Sequence, residues 1–570
     1  MSRTAVGLDP ARTVTVALDR FFAHYYQRRP VTATFTGEHA FDDLLPDWSS
    51  NGLDACVAEM RALHTDLGRA HPPVASASGY AEAPDALDAE LARAFLETQS
   101  AEVASAHGVR GNPSLWTGEA IFSVIALMTR EFAPFDRRVL AAAARLAAIP
   151  EFLERGRVTL STHPLPAAWT SRALRECEGA AILLTRGMQR WTASAPLPGA
   201  HATLLLAASG VALASFEAFA QWLRSRPVAD DNAMAVGPDV FDLFLERGHQ
   251  CRRSRSELER DARAALRAAV ARLEEMARER CGSWDAVQSR LIDDHPSHAD
   301  YLSTFGRVWN RCHECAAKNE VVTWPEWPIH YVPLPDWTRD AAPFLYYLFY
   351  RSPAPGDHYT IHDYVVTPLP ATGTEQHLRA WNRSVIKLNH VVHHGAIGHH
   401  VQNWYACHQA RSRIGRVAAV DCASRIGMMC GGTMAEGWAC YATDLMEELG
   451  FLTPLEEVSQ QHSRVRLLAR AVVDIGLHQG SMTFADAVRF YQEHARMPHS
   501  AALAEATKNS MFPCTAIMYW LGTQGIHELR RELELRRGPT FSLRQFHDEL
   551  LGYGSIPVPL VARIMLERAA

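Results

Sequence analysis

Apolar residues recur every three or four positions along most of this 570-residue chain. That spacing places them on one face of an α-helix, whereas a half-buried strand alternates apolar and polar residues. The pattern is clearest over residues 14–26, 53–67, 86–106, 167–192, 202–223 and 254–281. Asp136 and Pro150 have the positions of a start and a stop around residues 137–148, and Thr483 with Asp486 has the spacing of a capping box. We therefore predict a mostly α fold, organised as one helical domain over residues 1–570.

One region breaks the helical pattern. Prolines accumulate between residues 321 and 370, and two short runs, 329–332 and 359–367, have the residue types of β-strands. We predict an irregular loop and a small sheet over residues 321–370. Because this region directly precedes a cluster of histidines, we expect it to border a functional site, where loops commonly supply substrate contacts.

The composition points to a small partner. The net charge of -6 and the pI near 6.5 offer no electrostatic attraction for nucleic acid or for an anionic membrane. We therefore expect a small-molecule or short peptide substrate, with no nucleic-acid and no membrane partner.

Two further patterns bear on the compartment. Residues 1–26 lack the pattern of a signal peptide, and the most apolar stretch, residues 203–216, is too short to span a bilayer. We expect a cytoplasmic protein. The eleven cysteines, scattered singly apart from Cys312 and Cys315, are typical of reduced thiols, and that one pair is a weak signal for zinc.

Four histidines lie within eight positions, at 393, 394, 399 and 400, and Glu436 follows one helical segment later. Imidazole and carboxylate groups are ligands of Zn²⁺, and three protein ligands leave a position open for water or substrate. A straight α-helix cannot bring residues six or seven apart to one metal, because they point in different directions or lie about 10 Å apart along the axis. Gly395 and Gly398 permit a break. We predict a broken helix in which His399 or His400 returns beside His393, with Glu436 on a facing helix.

A second pairing needs no break, since His390 and His394 are four residues apart on one helical face. In neither register does a glutamate follow the first ligand, as it does in the H-E-x-x-H motif, where that glutamate is the general base. Each histidine taken alone is most simply a buried residue bonded to the backbone. Together with Glu436, the group favours a metal or catalytic site.

At these motifs the chain resembles the bacterial DUF885 family, whose largely helical members are regarded as zincin-like metallopeptidases. The family's H-E-x-x-P-G-H-H-x-Q motif aligns with residues 393–402, and its E-G-W-A-x-Y motif aligns with residues 436–441. Shorter matches lie near residues 37–47, 473–478 and 546–557, so the resemblance covers essentially the whole chain.

The resemblance implies a large multi-helix zincin-like fold and a set of site residues. It implies His393, His399 and Glu436 as the ligands of a divalent metal, which we expect to be zinc; the ligand types also fit iron. Candidate catalytic residues are His394, His400 and His478. Candidate substrate-binding residues are His39, Tyr364, Lys508 and Tyr519.

The chain departs from the family pattern at four sites. His394 stands where the family has its catalytic glutamate, and Ile397 stands where it has a proline. Near the C-terminus, Cys514-Thr515 replaces the central G-Q of a P-G-Q-A element, and Lys508-Asn509 replaces a preceding R-Y. All four lie in motifs expected to meet the substrate, which argues against an ordinary peptidase.

Three functional hypotheses follow. The first is a metal-dependent hydrolase-like enzyme acting on an amide or ester bond of a small amino-acid-derived or peptide substrate. In that enzyme His394 or His400 would be the base, since a histidine pKa near 6.5 suits proton transfer at neutral pH. The second is a repurposed lyase, cyclase or oxidative enzyme of specialised metabolism, in which His394 could be a further metal ligand. The third is a non-catalytic binding protein.

Overall fold

The structure is a computed structural model that describes residues 10–70, 74, 76–345, 350–358, 360–423 and 425–569. Helices make up nearly all of the regular structure of these residues, which confirms the mostly α fold predicted from the spacing of apolar residues. The first fourteen helices precede the proline-rich region. They are α1 Pro10–Arg28, α2 Pro30–Thr36, α3 Ser50–Ala70, α4 Gly79–Glu82, α5 Pro84–Ala104, α6 Pro113–Thr129, α7 Phe135–Leu160, α8 Ala167–Ile182, α9 Met188–Thr192, α10 Gly199–Arg224, α11 Pro238–Leu243, α12 Arg255–Cys281, α13 Trp284–Asp293 and α14 Tyr301–Lys318.

The remaining helices begin within the proline-rich region and continue to the C-terminus. They are α15 Asp336–Arg339, α16 Thr374–Ala380, α17 Arg383–Val385, α18 His399–His408, α19 Arg413–Val417, α20 Gly432–Glu448, α21 Pro454–His478, α22 Phe484–His494, α23 His499–Met511, α24 Ile517–Arg537, α25 Leu543–Gly552 and α26 Val558–Arg568. Among the described residues, three segments are π-helical: Leu183–Gly187, Phe244–Gly248 and Ile386–Gly395.

Two strands pair within the proline-rich region. β1 (Ile329–Pro333) and β2 (His362–Val366) form a parallel two-stranded sheet in which Tyr331 lies opposite Tyr364. The strands fall in the two runs that the sequence indicated; Tyr359, at the start of the second run, lies outside the described residues, as do residues 1–9 of the stretch tested for a signal peptide. The tyrosine rings of β1 and β2 pack near the histidine-bearing segment, so the sheet lies beside it.

The hydrophobic core connects the two ends of the chain. One cluster joins side chains of α1, α3 and α5 with those of α18, α20, α24, α25 and α26 and with the π-helical segment Ile386–Gly395. A second cluster lies among α6, α7, α8 and α10, and a third among α12, α21, α22 and α23. The histidine-bearing segment is thus packed between the N-terminal and C-terminal helices; the organisation as one domain stays a prediction.

The predicted helix stop at Pro150 is wrong. Helix α7 runs from Phe135 to Leu160 with Pro150 inside it. A proline in a helix interior costs about 3 kcal/mol, but the buried side chains of Ile149, Phe152 and Leu153 each contribute about 1.5–3 kcal/mol. Packing therefore outweighs the lost hydrogen bond. The capping box of Thr483 and Asp486, in contrast, is present at the start of α22.

Helix α10 is longer than the apolar stretch of residues 203–216 suggested. It spans 26 residues and is the one helix in the described part of the chain that is long and apolar enough to cross a membrane. One face, including Leu205 and Phe216, is buried in the second cluster, while Leu204 and Val211 are more than half exposed. The absence of a membrane partner remains a prediction. All eleven cysteines are free thiols, as predicted.

Candidate metal centre

The helix that carries His393 breaks between Gly395 and Gly398, as the sequence predicted. The π-helical segment ends at Gly395, and α18 begins at His399. At the break, the Gly398 amide donates to the Val392 carbonyl at 2.9 Å. His399, not His400, returns beside His393, with ring centroids 4.8 Å apart.

Gly398 is the residue that the turn requires. A Cβ at this position would lie 1.9 Å from the carbonyl oxygen of His393, so any side chain would force the turn open. The indole of Trp438 fixes the same turn by donating to the Ile397 carbonyl at 2.8 Å. Because Trp438 and Glu436 lie on α20, this hydrogen bond also sets the position of Glu436 relative to the histidines.

Three side chains converge on one point. The Nε2 atoms of His393 and His399 lie 3.5 Å and 3.6 Å from Oε2 of Glu436. These separations are longer than hydrogen bonds, but two ligands on a tetrahedral zinc, each about 2.1 Å from it, are about 3.4 Å apart. Each histidine is therefore at the distance from Glu436 that two ligands of one metal ion would have.

A second ligand set overlaps the first. Nitrogen atoms of His393, His394 and His399 lie within 4.8 Å of one another. Two ligands on opposite sides of one metal are at most about 4.2 Å apart. The upper limit of 4.8 Å for the three histidines exceeds this value, whereas the separations of 3.5 Å and 3.6 Å from Glu436 do not. Both sets contain His393 and His399 and differ in the third ligand.

Hydrogen bonds orient the groups around this point. The Tyr519 hydroxyl donates to Oε1 of Glu436 at 3.0 Å, which leaves Oε2 towards the histidines. Nδ1 of His394 lies 2.6 Å from the Asn389 carbonyl. Because a carbonyl only accepts, Nδ1 carries the hydrogen and Nε2 of His394 presents a lone pair. That nitrogen can bind a metal or accept a proton.

Burial sets the charge states. Burial lowers the pKa of His393, and it lowers the pKa of His394 well below its usual range with the help of His393 and His399. Burial alone would raise the pKa of Glu436, but its contacts with His393 and His399 hold it well below its usual range. Burial would also lower the pKa of His399, but Glu436 raises it. A carboxylate beside two imidazoles is a donor set for a metal, and metal binding would displace the proton that Glu436 favours on His399.

His400 and His478 do not reach this centre. Nε2 of His400 is hydrogen-bonded to the Trp327 carbonyl at 2.9 Å, and its ring stacks on Trp327. Nε2 of His478 is bonded to the Asn509 carbonyl at 2.9 Å. Burial lowers their pKa values to about 4 and about 3. Both are neutral, fully buried rings bonded to the backbone, and neither lines the cavity beside the centre.

The pairing of His390 with His394 is not assembled. Nδ1 of His390 is hydrogen-bonded to the Tyr364 hydroxyl at 2.6 Å, and the ring stacks on Trp381. The ring centroids of His390 and His394 are 6.5 Å apart. Tyr364, expected to contact substrate, is fully buried and holds His390 in place.

His39, also expected to contact substrate, bridges two carboxylates. Its Nδ1 lies 2.9 Å from Asp42 and its Nε2 lies 2.8 Å from Asp357, and the ring stacks on Phe132. Burial alone would lower its pKa, but the hydrogen bonds to Asp357 and Asp42 raise it to about 9. His39 therefore ties the loop after α2 to the loop before β2, outside the cavity lining.

We expect the His39 bridge to make stability pH-dependent. A histidine whose pKa is about 9 when folded and 6.5 when unfolded stabilises the fold below pH 6.5, and that contribution is lost as the pH rises through 9. His39→Gln should lower the free energy of unfolding by up to about 3 kcal/mol at pH 6 and by much less at pH 10. Urea unfolding at both pH values measures the difference, with the exposed His298→Gln as control. An equal loss at both pH values would contradict the bridge.

A cavity of about 250 Å³ opens beside the centre. Its wall includes His394, His399, Glu436, Lys508 and Tyr519, so two of the four predicted substrate contacts lie here. The wall also contains residues that the sequence did not indicate, among them Tyr350, Asp421 and Arg470. Asp421 exchanges hydrogen bonds with Ser352: its carboxylate accepts from the Ser352 amide, and its own amide donates to the Ser352 hydroxyl.

Comparisons with known proteins show which proteins share this fold but assign no activity to them. The sequence profile of a family described as "Bacterial protein of unknown function (DUF885)" matches residues 30–565. A search of curated proteins found no match. One similar solved structure is described as a "putative lipoprotein of unknown function" from Shewanella oneidensis, with a TM-score of 0.75 and 18% identity over 98% of this chain and 100% of that one. Another is described as the "putative lipoprotein" from Colwellia psychrerythraea, with a TM-score of 0.79 and 17% identity over 99% of this chain and 100% of that one. At these identities the likeness shows a shared fold.

Proposed function

Because the chain belongs to the DUF885 family, whose description assigns no function, we propose one from the geometry of its own site: a metal-dependent hydrolase-like enzyme with a zincin-like fold. Its substrate would be a small amino-acid-derived molecule or a short peptide carrying the amide or ester bond to be cleaved. The observation that carries the proposal is the convergence of His393, His399 and Glu436 at the wall of a cavity.

His393, His399 and Glu436 would hold the metal, which we propose to be zinc, with iron as the alternative. When bound, such an ion supplies Lewis acidity that polarises a carbonyl group and makes water more acidic. Tyr519 fixes the rotation of the Glu436 carboxylate.

His394 is the group that would move the proton in place of the missing glutamate. Its Nδ1–H is held by the Asn389 carbonyl, and its ring lies against those of His393 and His399 at 4.7 Å and 5.3 Å between centroids. Nε2 therefore presents the lone pair that would take a proton from water and pass it to the leaving group. The lowered pKa of His394 makes it a weak base in the first transfer and a strong donor in the second. His400, the other candidate base, has its Nε2 bonded to a backbone carbonyl and does not line the cavity.

A second candidate is a non-hydrolytic enzyme, a lyase, cyclase or oxidative enzyme of specialised metabolism. The group of His393, His394 and His399 favours it. If His394 were a ligand, the site would lack a base and would suit chemistry that needs none. The location also stays a proposal: we place the protein in the cytoplasm, whereas both similar solved structures are described as lipoproteins.

Hydrolysis can be distinguished from the alternatives by whether an oxygen atom from water enters the product. The metal-loaded protein is incubated with a panel of N-acylated amino acids, amino-acid esters and dipeptides in ¹⁸O-labelled water, and the products are analysed by mass spectrometry. We expect one ¹⁸O atom in the carboxylic acid product and no turnover by His393→Ala. Turnover that leaves every product unlabelled would favour the non-hydrolytic enzyme.

A further inference from the structure

Lysine is rare in this chain, and one lysine lies in the cavity wall. Among the 57 basic residues only three are lysines: Lys318, Lys387 and Lys508. Lys318 is exposed at the end of α14. Lys387 is buried and paired with Glu456 at 2.6 Å. Lys508 on α23 lines the cavity. Because lysines are so few, the rate at which an amine-modifying reagent labels Lys508 is a specific measure of access to this wall.

Lys508 and Arg470 both lie beside the ring of Tyr519. The Arg470 guanidinium is 4.8 Å from the centroid of the Tyr519 ring, and Nζ of Lys508 is 6.0 Å from the same centroid. The hydroxyl of that ring donates to Glu436. Both cations are therefore fixed beside the residue that orients the carboxylate ligand, with the guanidinium at most about 11 Å from Glu436.

Cations outnumber carboxylates around Glu505, next to the two cations of the wall. Glu505 accepts from Nε and Nη2 of Arg470 at 2.7 Å and 2.6 Å, and Arg466 reaches the same carboxylate at 3.9 Å. The charge of Lys508 is the third that acts on this carboxylate. The pair with Glu505 uses two of the nitrogens of Arg470 and leaves Nη1 outside it. In a partly buried wall, an excess of cations favours an anionic ligand far more than it would in water.

We propose that Arg470 and Lys508 bind a carboxylate of the substrate while the bond to be cleaved lies at the metal centre. The inference rests on the proposed function and narrows it to substrates that carry a free carboxylate. The Arg470 guanidinium is at most about 11 Å from Glu436, and one residue spans about 3.5 Å. The carboxylate therefore lies at most about three residues from the bond to be cleaved. N-acylated amino acids and the C-terminal end of short peptides have this form.

The binding test compares two probes that differ only in charge. Hippurate carries a carboxylate, and hippuramide replaces it with a neutral amide of nearly the same shape. Titration calorimetry on the full-length protein, metal-free and metal-loaded, should show hippurate binding at least about tenfold more tightly. Lys508→Gln should remove most of this difference and Lys508→Arg should restore it, while Lys318→Gln should leave it unchanged. Equal affinity for the two probes, or no binding of either, would overturn the proposal.

A second measurement uses the wild-type chain and does not depend on the folding of a variant. Limited acetylation followed by peptide mass spectrometry gives the labelling rates of Lys508 and Lys318 in one sample. Hippurate should slow the labelling of Lys508 and leave that of Lys318 unchanged; an unchanged rate at Lys508 would count against the proposal. Because both tests work without turnover, a protein that hydrolyses amides but ignores the charge of the probe would overturn this inference alone.

Discussion

Glu436→Gln should lower the affinity of the protein for a divalent metal by at least about 100-fold. Changes to groups that merely orient metal ligands cost about 10–100-fold, and this substitution removes the only negatively charged ligand of the proposed set. The amide has nearly the same shape and can still accept the hydrogen bond from Tyr519. Folding should therefore be preserved while the metal is lost.

The affinity is measured by competition with a chelating indicator, with elemental analysis of the purified protein. His393→Ala and His399→Ala should lose the metal as well, while the exposed Glu314→Gln should behave like the wild type. If Glu436→Gln kept its affinity and His394→Gln lost it, the three-histidine set would be the correct one.

His394→Gln should lower the turnover number by about two to four powers of ten, which is the usual contribution of a general acid–base group. Metal content should not change, because His394 is outside the proposed ligand set. His394→Glu should recover much of the rate, since a carboxylate at this position can take the same proton. Turnover and metal content are measured on the same preparations.

Two results would contradict the role of His394 as the base. Loss of metal from His394→Gln would make this residue a ligand, and an unchanged rate would remove it from the chemistry. A third result concerns the substrate: if His394→Glu gained peptidase activity that the wild type lacks, the native reaction would not be proteolysis.

The broken helix could be predicted because it follows from helix geometry. Residues six positions apart cannot share a metal on a straight helix, and glycine at 395 and 398 permits the break. Helix geometry alone could not choose between His399 and His400, since adjacent residues point in different directions and the turn decides which one returns; the family resemblance pointed to His399. The π-helical form of Ile386–Gly395 could not be predicted either, because its residue types are those of an α-helix.

The roles of the isolated histidines depend on distant partners. His39 bonds to Asp357, which is 318 residues away, and His400 bonds to a carbonyl 73 residues before it. No local pattern encodes such pairs. For the same reason Arg470 could not be identified from the sequence, because it contacts Tyr519 only through the packing of α21 against α24.

The most direct test of the ligand set is a crystal of the wild-type protein grown with zinc and measured at the zinc absorption edge. We expect one anomalous peak within about 2.2 Å of Nε2 of His393, Nε2 of His399 and a carboxylate oxygen of Glu436. A peak bound by His394 in place of Glu436, or no peak at this position in zinc-saturated crystals, would contradict the proposed metal centre.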